Sequence, residues 1–187
     1  MFDPNELKQT VAPQDTPQPA PKEDRNVYFE PLTEESFAEF GDVLAAEGTP
    51  DRLVDRGRCG RYDDRAMLDF SNGRPAMNML LSEARKLPIK LNMVLRHPKG
   101  TKCVMPMTQN PFLVIVSPSI DGEPGPPRAF LTKPGQGVNY HRGVWHHILT
   151  PLVAPGLFCV LDRADKGPNL DEHWFDRPYM IAGPRGQ

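Results

Sequence analysis

The chain has 187 residues, with 22 Lys and Arg set against 24 Asp and Glu, for a formal net charge of −2. That length supports one domain with a sizeable core, and the near balance of charge argues against nucleic-acid binding driven by electrostatics. No apolar run approaches the roughly 20 residues that span a bilayer, and no basic flank leads into an apolar block at the N-terminus, so neither a membrane span nor a signal peptide is read.

Residues 1–26 read as a proline-rich flexible extension. Pro4, Pro13, Pro17, Pro19 and Pro21 alternate with polar residues, and such a segment buries too little surface to offset its ordering entropy. The alternative is that it drapes over a neighbouring subunit. The folded domain is placed at 27–180, with 181–187 as a C-terminal tail. It opens on a strand at Val27–Glu30. Thr33 then stands as N-cap before Glu34, Glu35 and Ser36, half of a capping box. Phe37, Phe40 and Leu44 share a helical face, and Gly41 marks the helix end.

Strands dominate from there on. Met77–Leu81, Ile89–Leu95, Phe112–Val116, Arg128–Leu131 and Leu157–Leu161 are short, apolar or branched, and divided by Pro and Gly. A helical turn is allowed only near Ser82–Lys86. The pattern predicts a mainly β fold, an antiparallel sandwich or small barrel with one short helix packed outside. Cys59, Cys103 and Cys159 have no CxxC spacing, which fits free thiols in a reducing, cytoplasmic setting.

Chemistry concentrates in two segments. Gly137–His147 reads as strand, turn and strand and carries Tyr140, His141, Arg142, Trp145, His146 and His147. Imidazole suits proton transfer or metal ligation at neutral pH. Alternation directs His146 inward and His147 to the opposite side, as a structural residue. His141 either reaches a pocket mouth or caps the turn, and Tyr140 either packs or touches substrate. The second segment, Leu95–Lys102, puts Leu95 and His97 on one strand face. Lys102 is either a cation inside the pocket or a lysine on the turn. Arg61 either holds a carboxylate or pairs with Asp63 or Asp64. Asp162–Arg163 reads as a structural ion pair, and Asp171–Glu172–His173 as part of a solvated C-terminal segment. Cys103 and Cys159 read as buried small hydrophobes.

Several of these segments carry a family resemblance. They are Pro31–Thr33, Phe40–Val43, Arg96–Pro98 with Gly100, Pro111–Val114, Arg128–Leu131, the string Gln136–His147, and Asp162–Arg163 with Asn169 and Asp171–His173. Together they resemble the ureidoglycolate lyase family over residues from about Val27 to Phe175. The resemblance implies a cupin-type β-barrel (jelly roll) that cleaves ureidoglycolate to glyoxylate and urea by acid–base elimination, in allantoin and purine breakdown. It implies His97, His146, Lys102, His141 and Tyr140 as catalytic or supporting groups, with Arg61, Lys102 and Arg142 holding the substrate carboxylate.

The chain also departs from the family pattern, which has Glu at the position of Leu95 and Gln at that of Lys102. A leucine cannot ligate, and an ammonium repels a divalent ion, so only His97 and His146 remain as metal ligands. A metal-free site without cofactor is expected. The expected partners are a small anionic substrate and a second copy in a homodimer, with no nucleic acid and no membrane. Two alternatives remain open: a metallo-cupin isomerase or dioxygenase acting on another small carboxylate, and a non-catalytic cupin that binds a small anion.

Overall fold

The computed structural model describes residues 24–184. The extension at 1–23 and the last three residues lie outside the described residues. Arg25, placed in the extension from the sequence, already bonds to the fold: the Met180 amide donates to its carbonyl, and its guanidinium donates to the Arg177 carbonyl.

The first strand, β1, spans Asn26–Pro31 and is followed by helix α1 at Glu34–Phe37. The Thr33 hydroxyl accepts from the Ser36 amide, and the Ser36 hydroxyl accepts from the Thr33 amide, so serine completes the capping box. The helix stops after a single turn. Phe37 and Phe40 are buried, but Leu44 belongs to the next strand, β2 (Gly41–Leu44). Spacing in the sequence joined these apolar residues into one helix, whereas pairing of Gly41–Leu44 with a neighbouring strand claims them for the sheet. Gly41 serves that pairing: a Cβ there would lie 1.9 Å from the Asn139 carbonyl oxygen.

A hairpin follows, β3 (Arg52–Val54) and β4 (Cys59–Arg61), joined by a 3-10 turn. The strands then run β5 (Arg74–Ser82), β6 (Ile89–Arg96), β7 (Lys102–Pro106), β8 (Phe112–Ser117), β9 (Ser119–Ile120) and β10 (Glu123–Pro124). The remainder are β11 (Arg128–Leu131), β12 (Gly137–Tyr140), β13 (Trp145–His146), β14 (Thr150–Pro151), β15 (Gly156–Ala164) and β16 (Asp171–Pro184). No helical turn forms at Ser82–Lys86.

One sheet orders as β11–β1–β16–β6–β13–β8, with β14 alongside β8, and closes through a β11–β8 pairing into a six-stranded ring. A second sheet, β2–β12–β7–β15–β5, lies against it. The mainly β barrel with one short helix is therefore the architecture. It is not uniformly antiparallel, because β1 runs parallel to both β11 and β16. The C-terminal boundary at 180 also falls short: β16 pairs through Ile181 with Ile89 of β6 and continues to Pro184.

Two cores result. Leu113, Ile115, Leu91, Trp145 and Ile181 fill the ring, while Phe112, Val114, Phe130, Val138, Phe158 and Val160 fill the space between the sheets. β8 contributes alternate residues to both, which explains its unbroken apolar run. Among the described residues no helix is long and apolar enough to cross a membrane.

Candidate active site

The polar chemistry gathers in the space between the two sheets, beyond the aromatic core. β13 is only two residues long, so Trp145 turns into the ring and His146 into the inter-sheet space. There His146 lies opposite Leu95 of β6. Leu95, His97, Lys102, Tyr140 and His146 border one cavity of about 160 Å³, walled by Leu80, Val104 and Leu149. The inward pairing of Leu95 with His97 follows strand alternation. Lys102 is the first residue of β7 and borders the cavity; it does not sit on the turn.

His146 is 3% exposed, and neither of its ring nitrogens has a protein partner. Its ring lies 4.3 Å from the Tyr140 ring and 5.4 Å from that of His97, centroid to centroid. Burial, reinforced by His97 and the Lys102 ammonium, holds its pKa well below the ordinary histidine value. His97 donates its Nδ1–H to the Asn169 carbonyl at 2.8 Å, since a carbonyl only accepts. In the neutral ring this leaves Nε2 as a lone pair, again without a protein partner. Burial and then Lys102 depress its pKa, against smaller opposing effects from the Asn169 carbonyl and Asp162. Burial raises the Tyr140 phenol, which therefore keeps its proton.

His147 also borders the cavity, although alternation points it away. The extended run ends at His146, so the face rule does not carry one residue further. Its Nδ1–H is nonetheless tied to the Met93 carbonyl at 3.0 Å, a structural bond, and burial lowers its pKa to about 4.

Three other candidates lie elsewhere. His141 bonds through Nε2 to Asp42 at 3.2 Å and borders a separate cleft with Glu34, Asp64 and Arg65. Arg61 sits on the exposed β3–β4 hairpin and pairs with Asp63 at 2.5 Å, the surface-pair alternative. Arg142 donates to the Pro98 carbonyl at 2.7 Å and to Asp69 at 3.4 Å.

Asp162, read from the sequence as the partner of Arg163, instead pairs with Lys102 at 3.4 Å and accepts from the Asn78 amide at 3.0 Å. Arg163 pairs with Asp165 and the carbonyls of Ser71 and Asn72. The missed signal was alternation: Phe158 and Val160 point inward, so Asp162 is the next inward position. Asp171–His173 likewise belongs to a strand, with Glu172 opposite Leu95. Cys103, next to Lys102, is buried on the other strand face, and its thiol is pushed up to about 11 by burial, which removes it as a thiolate nucleophile.

The donor set does not fit a divalent metal. Three imidazoles, those of His97, His146 and His147, border the cavity with a leucine and a cation, but His147 is tied to the Met93 carbonyl, and among the described residues no group of three His, Cys, Asp or Glu side chains is placed to hold an ion. What the arrangement does fit is a small anion beside a neutral base.

A sequence model of the family described as ureidoglycolate lyase matches residues 24–182. The ureidoglycolate lyase of Chelativorans sp. is 45% identical over 162 residues, covering 86% of this chain and 98% of that protein. That of Rhodobacter capsulatus is 47% identical over 156 residues, covering 83% and 97%. Ureidoglycolate lyase 2 of Rhizobium meliloti is 45% identical over 153 residues, covering 81% and 94%. With both the family match and its relatives spanning the whole barrel, the chain belongs to the ureidoglycolate lyase family.

Proposed function

We propose that this protein is a carbon–nitrogen lyase that cleaves ureidoglycolate to glyoxylate and urea, in the breakdown of allantoin and purines. The observation that carries the site assignment is the cavity in which the fixed lone pair of His97 and the partner-free ring of His146 lie beside the Lys102 ammonium. Lys102 attracts the substrate carboxylate by a charge-assisted hydrogen bond. His97 Nε2 takes the proton of the carbinol hydroxyl. The released O–H electron pair becomes the second carbon–oxygen bond, and the carbon–nitrogen pair leaves on the urea nitrogen. The His97 imidazolium returns its proton to that nitrogen, so the residue ends the cycle neutral. His146 donates its ring N–H to the oxygen as negative charge builds on it, held in place by the Tyr140 ring. His141, Arg61 and Arg142 take no part in this reading.

The same reading places the enzyme in the cytoplasm as a homodimer. Support for a dimer comes from Met77, Met79 and Leu81, which stand 72%, 56% and 77% exposed on the edge strand β5. Glyoxylate release from ureidoglycolate, measured against the spontaneous rate, tests the activity; release no faster than the blank rejects it.

A further inference from the structure

At the edge of the cavity, where Lys102 borders it, the sheet holds a feature that simple anion binding does not require. Lys102 alone would attract any small carboxylate, yet a carboxylate of the protein stands beside it. β7, β15 and β5 are adjacent in the sheet, and their inner faces present Lys102, Asp162 and Asn78 in a row. Asp162 receives the Lys102 ammonium on one oxygen and the Asn78 amide on the other. A carboxylate offers about four acceptor positions and no donor, so each oxygen keeps acceptor capacity after these two bonds. Lys102 is 18% and Asp162 25% exposed at the side chain, so both are largely withdrawn from water. A half-buried anion next to a cation weakens that cation's hold on a plain carboxylate. It becomes useful when the ligand itself carries N–H donors near its anionic end.

We propose that Asp162, oriented by Lys102 and Asn78, is the acceptor that reads the ureido N–H groups. The cavity then selects small molecules with a carboxylate at one end and an amide-type N–H donor at the other. This rests on the lyase reading and adds to it the residue that sets substrate preference. Lys102 takes the substrate carboxylate on its free hydrogens, Asp162 takes the ureido end, and the carbinol carbon is left facing the imidazoles. Small carboxylates without N–H groups bring no donor to the acceptor capacity that Asp162 keeps after its bonds to Lys102 and Asn78, and they set a second negative charge beside it, so they are disfavoured.

The test uses binding, so that it stands apart from turnover. Ureidoacetate keeps both ends of the substrate but lacks the hydroxyl and cannot eliminate; glycolate has the carboxylate but no N–H. The full-length enzyme should bind ureidoacetate about tenfold tighter than glycolate or more, the scale of one hydrogen bond to a charged group. In Asp162→Asn, whose side chain is isosteric, that preference should fall below about threefold, while glycolate binds as well or better. Asn78→Ala, at the sheet edge, should lower the preference in the same direction with a smaller shift, and it supplies the answer if Asp162→Asn does not fold. A wild-type enzyme without preference, variants that keep the full preference, or an equal loss of both ligands in a folded variant would each overturn the proposal. Failure of glyoxylate release with the preference intact would reject the lyase reading and leave the N–H receptor standing.

Discussion

His146 and His141 come from one strand–turn–strand, yet they occupy opposite environments. His146 is sealed between the sheets with both nitrogens free of protein partners; His141 is about one-third exposed and tied to Asp42. Asp42 itself takes three such bonds. Burial raises its pKa, but donors from Asn139, the Met67 amide and His141 outweigh that and hold it below the usual carboxylate value. One imidazole therefore retains unused chemistry, while the other is spent on anchoring β2 and the segment around Met67. The difference teaches that clustered histidines are separated by their partners, because an imidazole already committed to a carboxylate has less left to offer a substrate.

The largest expected effect comes from removing the cavity bases. His97→Ala and His146→Ala should each lower kcat/KM by about a hundredfold or more, the usual range for positioned acid–base groups. Full turnover in either variant would remove that residue from the reaction. Because burial and Lys102 hold His97 below its ordinary value, its basic form should persist under mildly acidic conditions. The acid limb of kcat/KM should therefore fall below pH 6.5, whereas a limb at or above 6.5 would point to a different base.

The next effect concerns stability. An imidazole with a folded-state pKa below its free value takes up a proton more readily when unfolded. Its contribution is complete above about pH 6.5 and declines as the pH falls toward the folded value. For His147 that window runs from 6.5 to about 4, which corresponds to roughly 3 kcal/mol over the whole interval. His146 and His97 act in the same direction. Urea denaturation at several pH values should show stability dropping across this range, and His147→Ala should flatten the drop. An unchanged slope in the variant would assign the pH response to other groups.

Lys102→Met should act on binding. Losing a charge-assisted hydrogen bond to the substrate carboxylate should raise KM by about tenfold to a hundredfold. The variant should also raise the pKa of His97 and of His146, since Lys102 depresses each. Its acid limb should move to higher pH, and an unmoved limb with normal KM would place the ammonium outside the reaction.

How much of this was legible in the sequence follows from which signals are local. Branched, apolar runs such as Phe112–Val116 and Ile89–Leu95 announced their strands because burial on one or both faces demands such residues. The β3–β4 hairpin did not, since Arg52–Val54 and Cys59–Arg61 are exposed and carry no burial pattern. β16 was hidden by Asp171, Glu172, Asp176 and Arg177, which occupy its outer positions or break its register near the bulge between Trp174 and Tyr179. The cavity floor of Leu95, His97 and His146 was readable from alternation. The link from Lys102 to Asp162 spans 60 residues and exists only because β7 and β15 are neighbours.

The smallest expected effect sharpens the contrast between the two histidines. His141→Ala should leave kcat/KM within about threefold of wild type, because its ring lies in a different cleft from the one that holds His97 and His146. It should cost about 1 kcal/mol of stability, the scale of a partly exposed ion pair, because Asp42 keeps its bonds from Asn139 and Met67. That loss should fade as the pH falls through the lowered value of Asp42, where the carboxylate is protonated in both variant and wild type. A loss of turnover comparable to that of His146→Ala, without a matching loss of stability, would draw the second cleft into the reaction and make the anchoring role of His141 secondary.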